Sequence, residues 1–293
     1  MVPGRGVSPA AIAPMQHVLG LDVGWSTVRP SSAACLLSWG EAEVTAHIVR
    51  FTADPVAYRP ALTALVGGRT LAAAAFDGPL RGDLEEIGLY RLAEKLMTCG
   101  LARHIGKPGQ TNSPNGRLLN RAASGYARDL LALAEVGRSV HAAAIHARAI
   151  AEAFPTSFLG CMLDAGFREP GKARSDSYYV RLTGDARGDR LAALIGLLLP
   201  GRALAFAPAA LRNHDDRAAL VCAVTALCIA RRSYVAVGDD HGRIILPPRA
   251  AGDGPGLQDW AWTILAAGAA AAGAPIIVEP VIVEPGPSLP DRA

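Results

Sequence analysis

The sequence predicts an α/β protein in which a mixed sheet, entered through an antiparallel three-strand meander, is flanked by helices. Two observations carry this expectation. Three short apolar runs near the start, 17–23, 33–39 and 44–51, are separated by turn-prone pairs at spacings suited to hairpins. After them, strand-like runs alternate with helical patterns, which places helices over the sheet.

Ser31-Ser32 and Gly40-Glu41 mark the turns of the meander. Residues 57–66 read as a helix, with Pro60 near its first turn and Gly67-Gly68 just past its end. The continuous apolar run 71–76 fits a strand buried on both faces and stops at Asp77-Gly78-Pro79. Helical patterns follow at 83–99 and 117–136, joined by a Pro-, Gly- and Asn-rich loop, 107–116, long enough to cover a site. Residues 149–154 are apolar except for Glu152 and end at Pro155, as a strand does before proline. A polar, turn-rich stretch at 167–176 precedes a helix at 187–199. A nearly all-apolar helix, 215–230, opens with His214-Asp215-Asp216. The runs 234–238 and 243–246 predict a hairpin around 239–242.

No internal repeat and no change of composition marks a domain boundary, and 51% apolar residues can fill a large core. The expected organisation is a flexible leader at 1–16, one domain at 17–274 and a proline-rich tail at 275–293. The apolar stretch 260–278 approaches the length of a membrane span. Its Ala and Gly content, the interruption at Pro275 and the absence of a flanking basic cluster predict a packed helix and no membrane association. Five cysteines, odd in number and widely spaced, fit neither a disulfide framework nor a zinc knuckle, so a cytoplasmic setting is expected.

A net charge of +3 does not by itself imply a polyanionic partner. Between Arg91 and Arg138, however, eight Lys or Arg, among them Lys107 and Arg117, face three acids. Such a stretch is either a solvated helical face or a surface that tracks phosphates. Lys172 and Arg174, in the polar stretch after Glu152, are two further candidates for phosphate contact.

The acids carry the chemical argument. Asp22, Asp77 and Glu152 each interrupt or end a strand-like run, and Asp215 and Asp216 open the apolar helix. Taken singly, an acid in such a place is usually a turn former or a cap. Gathered at one sheet edge, they repel one another unless they share protons or bind cations. Hard oxygen donors suit Mg2+ or Mn2+, and two such ions about 4 Å apart can activate water and stabilise a departing oxygen. In that reading Asp22 bridges the ions, Asp77 and Glu152 each complete one shell, and Asp216 or Asp215 closes the site. The catalytic set is then Asp22, Asp77, Glu152 and Asp216.

In order and spacing, Gly20-Leu21-Asp22-Val23-Gly24-Trp25-Ser26, Phe76-Asp77-Gly78-Pro79-Leu80, Glu152-Ala153-Phe154-Pro155 and the helix behind His214-Asp215-Asp216 resemble the RNase H-like nucleases grouped as domain of unknown function 429. Val237-Gly238-Asp239 and Gly242-Arg243-Ile244-Ile245-Leu246-Pro247 resemble that family's ending. The resemblance spans about residues 18–247. It implies an RNase H-like fold and a metal-dependent nuclease acting on nucleic acid. The helix departs from the family at Ala218 or Ala219, where a further Asp often stands, so Asp215 and Asp216 both stay open as ligands. Two rival readings remain: a noncatalytic nucleic-acid-binding or scaffold protein of the same fold, and an actin-like or sugar-kinase-type ATPase. The ATPase shares a first strand ending in Asp-x-Gly, but Pro79 stands where a phosphate loop wants backbone donors.

Overall fold

A computed structural model describes residues 14–106, 109–138, 147–167 and 174–279. The meander forms as expected: β1 (Gln16–Asp22), β2 (Ser32–Trp39) and β3 (Glu43–Phe51) pair antiparallel in succession. Helix α1 (Pro55–Val66) follows; Asp54 caps its start by accepting from Val56 N, and Gly67 ends it at φ +50°. Then come β4 (Thr70–Leu71), β5 (Ala73–Asp77), α2 (Leu92–Thr98), α3 (Ala102–Ile105) and α4 (Pro114–Leu133). Next are β6 (Glu135–Val136), β7 (Ile150–Ala153), α5 (Pro155–Met162), α6 (Arg174–Thr183) and α7 (Arg190–Leu198). The chain continues through β8 (Ala203–Leu204), α8 (His214–Ala230), β9 (Tyr234–Asp239), β10 (Gly242–Leu246), α9 (Asp259–Ala272) and β11 (Ile276–Glu279).

Among the described residues the main sheet has nine strands in the order β11-β9-β10-β7-β5-β1-β2-β3-β8. β5 and β7 run parallel to β1, and β10 runs parallel to β7. Strand alternation divides the core. One face carries Leu19, Leu21, Phe76 and Ile150 against α1 and α4. The other carries Val18, Ala73, Ala75 and Ala151 against α8, with α5, α6 and α7 beyond. Helix α8 is buried on all sides from Ala218 to Ile229, as a helix apolar all round must be. It lies directly on β1 because Gly20 has no side chain: a Cβ there would overlap the backbone of Ala219, Cys222 and Ala223.

Several expectations are corrected. The pattern at 83–99 is helical only over Leu92–Thr98. Before that, Leu84 adopts φ +59° and Ile87 N donates to the buried Asn120 Oδ1 at 3.0 Å, so tertiary bonds replace the helical ladder. The run 71–76 breaks at Ala72, whose N–H goes to His17 O, and Leu71 turns away to pair with β6. Helix α6 begins inside the stretch read as turn-rich, because Tyr178, Tyr179 and Leu182 give it a face to bury. The domain does not stop at 274: β11 joins the sheet beside β9. The leader through residue 13 and the tail from 280 lie outside the described residues. The apolar stretch 260–278 divides into α9 and β11, and among the described residues no helix is long and apolar enough to cross a membrane.

Candidate active site

The site lies at the carboxyl ends of β1 and β5. Asp22 and Asp77 are register partners, and the row continues through Ala33 on β2 to Arg50 on β3. All four positions share the face that α8 covers. The first turn of α8 meets this row. Asn213 caps the helix, its Oδ1 accepting from Asp215 N at 2.8 Å and Asp216 N at 3.2 Å. Asp216 Oδ1 lies 3.4 Å from Arg50 Nε, while Asp215 adds its negative field to Asp22.

Burial, then Asp77, then Asp215 push the Asp22 pKa well above the usual carboxylate range. Burial and the charge of Glu152 push Asp77 up to about 7. Among the described residues no Lys, Arg or His pairs with Asp22, Asp77 or Asp215. Two like charges about 5 Å apart repel by roughly 3 kcal/mol at an effective dielectric of about 20, so this pair invites a proton or a cation. Beneath it, Cys222 of α8 has its thiol pKa raised by burial and by both aspartates.

Glu152 is placed differently. Its register partner is Phe76, one residue before Asp77, so it projects from the opposite face. There Arg91 holds both its oxygens, Nη1 to Oε2 at 2.6 Å and Nη2 to Oε1 at 2.8 Å. Arg91 Nε also donates to Glu94 Oε1 at 2.8 Å, and Glu94 accepts from the Thr111 hydroxyl. Burial raises the Glu152 pKa even though Arg91 and the Leu80 N–H work against it. Burial opposes the charge on Arg91 as well, but Glu152 and Glu94 outweigh it and hold the guanidinium above its ordinary pKa. Glu152 is thus a member of a buried ion network, with both its oxygens bonded to Arg91 on the face opposite Asp22 and Asp77.

Among the described residues no three His, Cys, Asp or Glu side chains converge enough to hold an ion between them. By donor type the aspartates do fit Mg2+ or Mn2+: Asp22 and Asp77 supply carboxylate oxygens with no side-chain cation between them. Ala218 and Ala219 are both buried, and the backbone of Ala219 lies against Gly20.

Of the phosphate-contact candidates, Lys107 and Lys172 lie outside the described residues. Arg117 is exposed in the first turn of α4; its neighbours Gly116 and Leu119 line a small cavity with Asp77 and Glu152. Arg174 opens α6 and lies against Gly106; two residues on, Asp176 bonds His214 and Arg217 in the first turn of α8. His214 Nδ1 is 3.1 Å from Asp176 Oδ2.

Trp25, three residues past Asp22, is 48% exposed. The loop that carries it is braced. Gly24 N donates to Ser32 Oγ at 2.9 Å, and Ser32 meets the Tyr126 hydroxyl at 3.1 Å. Ala53 N donates to Ser26 O at 2.7 Å.

Two residues of the site were missed in the sequence. Arg50 has a signal: counting back through both hairpin turns aligns Asp22, Ala33 and Arg50. Arg91 has none, since it reaches Glu152 across 61 positions from a segment that reads as helix.

The loop after β5 offers little to a nucleotide. Gly78 N donates to Phe76 O, Leu80 N donates to Glu152 Oε2 at 3.1 Å, and Pro79 has no N–H. Comparison of the chain with family models, with curated proteins and with solved structures gives no match.

Proposed function

We propose that the chain is a metal-dependent nuclease of RNase H-like fold, acting on nucleic acid in the cytoplasm and cutting phosphodiester bonds at Asp22 and Asp77. One observation carries the reading: two aspartates in register on adjacent parallel strands, both with raised pKa values and neither paired with a cation among the described residues. The strand order β3-β2-β1-β5-β7, an antiparallel meander followed by two parallel strands, supports the fold assignment.

Asp22 and Asp77 would hold Mg2+ or Mn2+, with Asp215 adding negative charge at the helix start. When bound, such ions activate a water and stabilise the departing oxygen. Arg50, half exposed at the end of the row, can leave Asp216 and accept a substrate phosphate. Trp25 offers a ring on a braced loop three residues past Asp22, a surface on which an unpaired base can stack.

The Arg91–Glu152 pair favours a second reading, a noncatalytic nucleic-acid-binding protein of this fold, because it removes one acid from the expected ligand set. Incubation of the purified protein with labelled DNA and RNA in Mn2+, beside Asp22→Asn, decides between the two. The nuclease reading expects cleavage by wild type alone. Equal trace cleavage by both proteins sinks it, and binding without cleavage supports the second.

A further inference from the structure

We propose that the groove between α1 and the start of the meander binds a small amphipathic anion, an oxyanion head on a short apolar chain. The groove holds about 370 Å³, within the range of small-molecule sites, ~300–1,000 Å³. It is separate from the acids: His17 lines it at the beginning of β1, and Asp22 ends that strand, about 16 Å further at the rise of a strand.

Strand register builds the polar side. His17, Ser38 and Thr45 are successive partners across β1, β2 and β3. His17 is only 9% exposed, and its Nδ1 is 2.7 Å from Ser38 Oγ. Burial, reinforced by Arg69, keeps the His17 pKa below its usual value, so the ring is neutral near pH 7. In the tautomer in which Ser38 donates to Nδ1, Nε2 carries the proton, and no described residue accepts it. The ring therefore presents a donor to the groove.

Arg69 and His47 stand on the rim, and among the described residues no Asp or Glu lines the space. Ala61 and Leu65 of α1 form a hydrocarbon wall facing the strands, and Leu36 and Val49 add hydrocarbon beside the polar row on the sheet. A guanidinium and a neutral N–H donor on one side match a carboxylate or a phosphate monoester; the apolar wall matches a short chain. A cationic ligand would meet Arg69, and a polyol would leave hydroxyls unpaired against the wall.

The test titrates the full chain, without metal or nucleic acid, with hexanoate, hexyl phosphate and hexylammonium while the His17 and His47 imidazole resonances are followed by NMR. Arg69→Met removes the charge. Ala64→Trp, at an exposed position of α1 that lines the groove, fills the space from outside the core. We expect saturable shifts of His17 with at least one anion and none with hexylammonium, affinity about tenfold or more weaker in Arg69→Met, and loss of binding in Ala64→Trp. The stronger anion identifies the head group. Neither anion moving His17, hexylammonium binding as well as the anions, or both variants binding like wild type would each overturn the proposal. With metal and nucleic acid absent, the outcome is independent of the nuclease reading.

Discussion

Arg50 Nε stands 3.4 Å from Asp216 Oδ1, joining the third strand of the meander to the first turn of the central helix. The pair separates two adjacent aspartates by role. Asp216 is drawn toward a guanidinium, while Asp215 directs its field at Asp22, whose pKa it helps to raise.

Substitutions should follow that division. Asp22→Asn and Asp77→Asn are expected to abolish Mn2+-dependent cleavage. Asp215→Asn should lower it by about 10–100-fold, the usual effect of removing a group that supports a metal site. Asp216→Asn should be the mildest of the four. Single-turnover rates on one labelled oligonucleotide rank them, and an Asp216→Asn protein less active than Asp215→Asn would reverse the assignment.

The raised pKa values predict how metal-free stability depends on pH. An unfolded Asp loses its proton near 3.8, whereas folded Asp77 holds it to about 7. Between those values the unfolded chain binds fewer protons than the folded one, so the stabilising contribution, complete at lower pH, fades as pH rises and is gone above about 7. Thermal melts should therefore fall from about pH 5 to about pH 8 more steeply in wild type than in Asp77→Asn. Mn2+ should restore the loss mainly at the higher pH, because the ligands must be deprotonated to bind it.

Arg91 is expected to matter for folding. Arg91→Met leaves Glu94 and Glu152 buried without a cation and should destabilise the protein by about 3–5 kcal/mol in denaturant melts. Adding Glu152→Gln to that background should recover part of the loss. Glu152→Gln alone should lower stability while shifting the Mn2+ midpoint little; a large loss of Mn2+ affinity would restore Glu152 as a ligand.

Gly20→Ala tests the seat of α8. The new methyl group overlaps helix backbone, which cannot give way as a flexible side chain would. The expected cost is about 3 kcal/mol or more, at or beyond the upper end for overpacked cores. Cleavage by the surviving folded fraction should also fall, since Asp215 moves with the helix.

Trp25→Ala should leave the melting curve within about 0.5 kcal/mol of wild type, because the ring is half exposed. Binding of single-stranded oligonucleotides should weaken by about 1–3 kcal/mol, the range for loss of one base-stacking aromatic. Fluorescence anisotropy with a single strand and with a duplex measures both, and equal binding by the two proteins removes Trp25 from the nucleic-acid surface.

Much of the frame was legible in the sequence. The meander, the α1 stop at Gly67-Gly68, the all-apolar α8 and the β9–β10 hairpin follow from period, turn residues and length, which are local properties. The helix expected at 83–99 forms only from Leu92, because before it the bond from Ile87 N to the distant Asn120 Oδ1 outweighs local propensity. Strand β11 was hidden because it gains its place by pairing with β9, about 40 residues earlier.

The acids divide along the same line. By itself the sequence determined that Asp22, Asp77 and Glu152 sit at strand ends and that Asp215 and Asp216 open a buried helix. Only the tertiary structure decided which of them meet. Side chains alternate with a period of two, so register places Asp77 beside Asp22 and, one residue away, turns Glu152 to the far face and into the grip of Arg91.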